Sequence, residues 1–320
     1  MTLPSDDGLL SRRSLIKVTA LAAVPFMIRA TPSRAADITG GLIDAHVHVW
    51  PAETTRYPVA EGFKKENVQP ISFTPEELFA ECRPQGVTRV VLIQMSFYKF
   101  DNSYMLDAIR QYPDAFRGVA IVDEKQANVG DTMKELAKSG VTGFRLYATK
   151  PAVESWLNAT EMNAFWKLAA QTGQAVCLLS DPDALPAIDA MIKKHPETTV
   201  VIDHFSRIGM SGTIQQQDLD NLCRLARYPN VFVKTSAFYA LGKKQAPYTD
   251  LGPMVRRLRD AYGAKRLMWA SDCPFQVQGG HTYGESISLI RDKLDFLTQE
   301  EKSWILAKTA ENVYWTSSNS

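Results

Sequence analysis

Apolar residues fall along this chain in two alternating patterns. One is the short unbroken run, as in Val90-Val91-Leu92-Ile93 and Thr199-Val200-Val201-Ile202. Runs of that kind suit strands buried on both faces, and hence a parallel sheet. The other is the longer amphipathic stretch, as in the segment capped by Thr160 that carries Met162, Phe165, Trp166, Leu168 and Ala169. A stripe at that spacing reads as the core face of a helix. In chain order the runs predict strands over 41–49, 89–96, 117–122, 141–147, 174–179, 198–205, 230–236 and 265–271. Helices are predicted over 74–85, 102–112 and 128–139, from Thr160 onward, and over 182–194, 215–227, 249–262, 283–296 and 298–314. Thr74-Pro75-Glu76-Glu77 shows how such a helix starts: a capping hydroxyl, a proline in the first turn, and acids near the positive end of the dipole. Gly86 and Gly140 stand where helices stop.

Eight strands with helical segments between neighbours, over about 280 residues, fit a (β/α)8 TIM barrel of α/β class. An open doubly wound sheet is the alternative, but no Gly-x-Gly-x-x-Gly follows any of the strands. No linker divides the chain after residue 36, so residues 37–320 are expected to form one domain. The long loop over 50–72 holds Trp50, Arg56, Tyr57 and Phe63, an aromatic and cationic mix suited to lining a pocket.

Composition adds bounds. The chain has 320 residues, 45% hydrophobic and 22% charged, ordinary for a globular protein with a sizeable core. The formal charge of +1 offers no broad field for nucleic acid. Part of it lies in residues 1–36, where Arg12, Arg13, Lys17, Arg29 and Arg34 outnumber Asp6 and Asp7 by three, which leaves −2 for the rest. That segment looks like a twin-arginine export signal: Ser11-Arg12-Arg13-Ser14-Leu15-Ile16-Lys17, an apolar run over 18–28, then small residues at Ala35 and Ala36. It predicts a periplasmic protein. The run is about half the length of a membrane span, so no permanent membrane anchor is expected. Cys82, Cys177, Cys223 and Cys273 are widely spaced and read as small buried side chains.

Candidate chemistry begins at Leu42 to Trp50, where His46 and His48 stand two apart in a strand-like run. A strand alternates faces, so both imidazoles point the same way, toward a metal ion or a carbonyl oxygen. In a (β/α)8 barrel the reacting groups sit at the C-terminal ends of the strands. Those ends carry a surplus of capable residues: Gln94, Ser96 and Tyr98 after the second strand, Arg145 and Tyr147 on the fourth, Asp203-His204 with Arg207 on the sixth, Lys234 and Ser236 on the seventh, and Ser271-Asp272 on the eighth. His195 falls at the other end and is expected at the surface. His281, in the loop after the eighth strand, has the reach to approach the site.

Four stretches together resemble the amidohydrolase superfamily: Ile43-Asp44-Ala45-His46-Val47-His48-Val49-Trp50, Gly143-Phe144-Arg145, Val201-Ile202-Asp203-His204-Phe205-Ser206-Arg207 and Trp269-Ala270-Ser271-Asp272-Cys273-Pro274. The likeness is to its amidohydrolase-2 type, among lactone hydrolases acting on pyrone dicarboxylates, sulfomuconolactones and sugar acids. It implies that a small anionic lactone is opened, with Asp272 activating water and His46, His48 and His204 polarising the carbonyl. Arg145 and Arg207 would hold substrate carboxylates, with Tyr147, Ser96, Tyr98, Trp50 and Arg56 as further candidate contacts. Many superfamily members complete metal sites with a Lys or Glu after strand four and a His after strand five. Here Arg145 with Tyr147, and residues 177–180, stand in those places. The resemblance therefore implies no cofactor; the alternative is one divalent ion, Zn or Mn, on His46, His48 and Asp272. Two other functions stay open: a metal-dependent amide hydrolase or decarboxylase of the same superfamily, and a non-catalytic periplasmic binding protein.

Overall fold

Eight strands form one parallel sheet in chain order, β1 through β8. They are β1 Leu42–Val47, β2 Val87–Ile93, β3 Phe116–Ala120, β4 Val141–Ala148, β5 Ala175–Ser180, β6 Val200–Ile202, β7 Val231–Thr235 and β8 Leu267–Trp269. The structure is a computed structural model; it describes residues 40–315. Helices follow the strands: α1 Pro75–Cys82, α2 Ser103–Gln111, α3 Val129–Lys138, α4 Lys150–Trp156, α5 Thr160–Thr172, α6 Leu185–Lys194, α7 Gln216–Arg224, α8 Gly252–Tyr262, α9 Tyr283–Ser288, α10 Gln299–Ser303 and α11 Thr309–Tyr314. The start of α1 is set by a reciprocal cap: Thr74 Oγ1 accepts from Glu77 N, and the Glu77 carboxylate accepts from Thr74 N.

The sheet closes on itself at its C-terminal end. Val47 and Cys273 form a parallel bridge. His48 N donates to Cys273 O at 2.8 Å, and Asp272 N donates to His46 O at 2.9 Å. Beside this seam lies Asp44, fully buried. It accepts from Ser271 N at 2.9 Å, from the Tyr283 hydroxyl at 2.7 Å and from His46 N at 3.2 Å. Burial pushes its carboxyl up to about 6, against these hydrogen bonds. One acid thus pins β1, the residues after β8 and α9 together.

An apolar layer of Ile43, Ala45, Val91, Val119, Val201 and Met268 fills the barrel below the site, with Tyr314 of α11 packed against it. Between Asp44 and Val47 the β1–β2 ladder shifts register. A shift of this kind re-aims side chains and often lies beside a functional site. Above it the inward residues are His46 and His48.

Several expectations need correction. The sixth strand stops at Ile202 rather than reaching 205, because Asp203–Arg207 turn sharply. A short helix, α4, precedes the one expected after Thr160. The last two predicted helices are each broken by a wide turn, Leu289–Lys293 and Trp304–Lys308. His195 is buried, not at the surface; its Nε2 lies 2.8 Å from Asn163 Oδ1 and its ring beside Trp166. All four cysteines are buried, as read from their spacing, and all four are free. Among the described residues no helix is long and apolar enough to cross a membrane. The twin-arginine segment over 1–36 lies outside the described residues.

Candidate active site

At the rim of the barrel three imidazoles surround one carboxylate oxygen. Asp272 Oδ1 lies 3.4 Å from His48 Nε2, 3.5 Å from His46 Nε2 and 3.7 Å from His204 Nε2. His46 Nε2 and His48 Nε2 are 3.3 Å apart. The other oxygen, Asp272 Oδ2, accepts from the Tyr239 hydroxyl at 2.8 Å. The two hydrogen bonds that close the barrel deliver His48 and Asp272 to one point, so the cup and the seam are one structure.

His204 arrives by another route. His204, Phe205, Ser206 and Arg207 have φ of 51°, 53°, 55° and 56°, four consecutive left-handed residues, none of them glycine. Each such residue costs about 1–2 kcal/mol, and strain of this kind collects at functional sites. Local contacts hold the turn. Phe205 is fully buried against Phe238, and Ser206 Oγ lies 2.6 Å from Ser180 Oγ. His204 Nδ1 lies 2.8 Å from Ser236 Oγ. The turn carries His204 into the cup and Arg207 onto its wall three residues later.

Beneath the cup lies a buried charge pair. Lys234 Nζ stands 3.0 Å from Asp203 Oδ1 and 3.2 Å from His46 Nδ1, and Asp203 Oδ1 is 3.5 Å from that same Nδ1. All three side chains are fully buried. Burial works against the charge on Asp203, but Lys234, and then His46, hold its carboxyl well below the usual range. Burial, then Lys234, keeps His46 well below the ordinary imidazole value; burial likewise lowers His204. Burial also opposes charge on Asp272, yet the carboxyl lies below its ordinary range because the surrounding imidazoles, His204 first, favour the anion whenever they carry a proton. The site at neutral pH is an anionic Asp272 facing neutral His46 and His204.

The outer nitrogens fix part of the proton arrangement. His48 Nδ1 lies 2.8 Å from the Ile93 carbonyl, which only accepts. A neutral His48 therefore turns a lone pair toward the cup at Nε2. Neither Asp203 oxygen has a hydrogen-bond partner of good geometry. His46 Nδ1 faces the acceptor Asp203 Oδ1 at 3.5 Å and the donor Lys234 Nζ at 3.2 Å; with its proton toward Asp203, Nε2 keeps a lone pair for the cup, the carboxylate–histidine arrangement seen behind metal ligands.

Above the cup is a cavity of about 330 Å³. Its walls include Ser96, Arg145, Tyr147, Arg207 and Tyr239, with Met95, Leu179, Met210, Leu241 and Phe275. A second, larger cavity of about 810 Å³ opens at the opposite end of the barrel, near Arg117 and Tyr314, and no histidine lines it. Size is outweighed by chemistry here, since the smaller one holds the perturbed titratable groups.

The structure brings together His46, His48, His204 and Asp272, and sets Arg145, Arg207, Tyr147 and Ser96 around them. Three candidates do not line this cavity. Trp50 is fully buried, donates to Pro70 O and packs on Phe97 and Phe275. Tyr98 is buried against Phe97. Arg56 points outward and pairs with Asp107 at 2.6 Å. His281 stops short, its Nδ1 2.8 Å from the Tyr248 hydroxyl. One residue outside the expected set does belong, Tyr239, which no periodicity marks; Lys234, expected among the capable residues of the seventh strand, lies beneath the cup.

Fold and cup define a class, parallel (β/α)8 barrels with a polar centre of His-x-His and Asp at the rim. Within that class the chain belongs to the Amidohydrolase family, whose pattern it matches over residues 43–315. It is 28% identical to a 4-sulfomuconolactone hydrolase of Hydrogenophaga intermedia over 273 residues, 82% of this chain and 84% of that one. It is 26% identical to an L-fucono-1,5-lactonase of Burkholderia ambifaria over 282 residues, 85% of this chain and 94% of that one. An amidohydrolase from Burkholderia multivorans, solved with bound Zn, shares the fold with a TM-score of 0.72 at 19% identity, covering 86% of this chain and 99% of the other.

Proposed function

We infer that this protein hydrolyses a small anionic lactone. The observation that carries the reading is the single oxygen of Asp272 set within 3.7 Å of three imidazole nitrogens at the floor of a cavity that also exposes Arg145. The names of the two relatives, a sulfomuconolactone hydrolase and a fuconolactonase, point the same way.

The chemistry follows from the residues. A water beside Asp272 gives up one proton to the carboxylate as its oxygen bonds to the lactone carbonyl carbon. The carbonyl electrons move onto oxygen, where His204 Nε2–H donates if Ser236 donates to Nδ1; such a donor contributes a few kcal/mol, about 3. When the tetrahedral species collapses, the ring C–O bond breaks. Asp272 returns its proton to the leaving alkoxide, and a hydroxy acid is released. Tyr239 holds Asp272 in place through Oδ2.

The resemblance implied work without a metal; two observations favour one divalent ion instead. Donors about 2.0–2.1 Å from a tetrahedral ion stand about 3.3–3.4 Å apart. The triangle of His46 Nε2, His48 Nε2 and Asp272 Oδ1 has sides of 3.3, 3.4 and 3.5 Å. Asp203 supplies an acid behind His46, 3.5 Å from its Nδ1. His46, His204 and Asp272 also bring one donor atom each within 4.8 Å. Zinc or manganese held there would bring the pKa of a water toward about 7.

The test is a panel of five- and six-membered lactones followed by proton release, with Asp272→Asn as control. Wild type should turn over at least one lactone, and Asp272→Asn should lose at least about 10³ in kcat. Equal rates in the two proteins would remove Asp272 from the chemistry; a folded wild type inert to the whole panel would favour the binding-protein reading.

A further inference from the structure

The lactone reading leaves open how many anionic groups the substrate carries, and the charges around the cavity can be counted. Two guanidinium groups line it, Arg145 and Arg207, but they are not equivalent. Arg207 Nη2 lies 2.8 Å from Asp181 Oδ2, and its Nε donates to Ser180 O at 3.4 Å. Its charge is already matched by a carboxylate at the end of β5. Arg145 is buried to 6% exposure, its Nε has no partner, and the face of Tyr147 lies 5.5 Å from it at the ring centre. Among the described residues no acid pairs with it. The remaining cation, Lys234, is matched by Asp203 at 3.0 Å and lies below the cup. A buried donor group without a partner is costly unless something fills the place.

The other walls restrict what else the substrate carries. Met95, Leu179, Met210, Leu241 and Phe275 form an apolar wall that offers no hydrogen bond, while Ser96, Tyr147 and Tyr239 carry the hydroxyls of the lining. Hydroxyls of a sugar lactone set against the apolar wall would go unpartnered, each at about a tenfold loss in affinity. The volume of about 330 Å³ holds roughly the space of ten water molecules, one ring with a short substituent.

We propose that the site selects a monocyclic lactone bearing a single carboxylate, held by Arg145, with an otherwise apolar body, and that Asp181 sets this limit by occupying Arg207. The proposal rests on the lactone reading, and the experiment separates the two. The full-length protein is given γ-butyrolactone, the same ring with one carboxylate, and the same ring with two. The monocarboxylate should exceed both others by at least about tenfold in kcat/KM. Asp181→Asn, at a half-exposed position where folding is little disturbed, should raise the dianion-to-monoanion ratio of kcat/KM about tenfold. Arg145→Met should bring the monoanion-to-neutral ratio down to about one, mainly through KM. A wild type that prefers the dianion or a sugar lactone, or an unchanged ratio in Asp181→Asn, would overturn the proposal while leaving lactone hydrolysis intact. If no lactone is hydrolysed, the lactonase reading fails alone. Calorimetry with cyclopentanecarboxylate and cis-1,2-cyclopentanedicarboxylate then still reads the charge preference: tighter binding of the monoanion supports it, and equal or weaker binding, or none, overturns it.

Discussion

Tyr239 shows how one hydroxyl controls the candidate base. Its O–H donates to Asp272 Oδ2, which stabilises the carboxylate relative to the acid. Tyr239→Phe removes that donor, so the Asp272 pKa rises and the acid limb of the kcat profile moves to higher pH. A loss of about tenfold to a hundredfold in kcat is expected at neutral pH, the worth of one hydrogen bond to a charged group. A pH–rate profile checks this; an unmoved acid limb would confine Tyr239 to packing. At this scale the sequence was legible where a side chain is chemically distinctive and its neighbours set a period. His46 and His48 converge because a strand alternates, and Asp272 follows a strand end. Tyr239 was not legible, because it lies past β7 in a turn entered through Ala237 at φ 55°, where no period links position to direction.

At the scale of elements the barrel depends on a seam, and the seam on Asp44. Tyr283 of α9 donates to this buried carboxylate. Tyr283→Phe leaves one oxygen of a buried acid short of a donor, at about 1–3 kcal/mol. Urea unfolding should show that loss as a lower midpoint at constant slope; a midpoint within error of wild type would mean that water or another donor replaces the hydroxyl. The strand pattern was readable because strands buried on both faces are written as apolar runs. The early end of β6 was not, since Phe205 extends the strand-like stretch past Asp203 and His204 while the backbone turns left-handed at His204. That conformation is disfavoured locally for every residue in it, so only contacts with β5 and β7 side chains select it. Trp50 and Arg56 failed as cavity residues for a related reason: a long loop has no period, and its side chains follow the partners they meet, Pro70 and Asp107.

For the whole molecule, pH and metal content are the informative variables. His46, His195 and His204 are all held below the ordinary 6.5, burial being the largest cause for each. The native state then binds fewer protons than the unfolded chain just below that value. Stability is fully present above pH 6.5 and falls as pH drops through it. Asp44, raised to about 6, works the other way, since its contribution is lost as pH rises from the unfolded 3.8 toward 6. A scan of Tm should fall from pH 7 to 5.5, and His195→Gln should make that fall shallower without touching the cup; an equally steep fall in the variant would assign it to the other imidazoles. Purified protein is expected to carry about one divalent ion per chain. Chelation should lower turnover at least about tenfold, and Zn2+ or Mn2+ should restore it. Full activity in metal-stripped protein would return the site to hydrogen-bond catalysis alone.

The amino-acid order by itself determined the repeating strand and helix units, the parallel sheet, and three of the cup's groups by type and place: His46, His48 and Asp272. These are local properties, written in the period of apolar residues and in what ends a strand. Tertiary structure alone decided that Lys234 and Asp203 neutralise each other beneath His46, that Tyr239 restrains Asp272, and that Asp181 occupies Arg207 while Arg145 has no acid partner among the described residues. Each joins side chains from different elements, and a charge is matched or left free by distances of a few ångströms that no stretch of sequence contains.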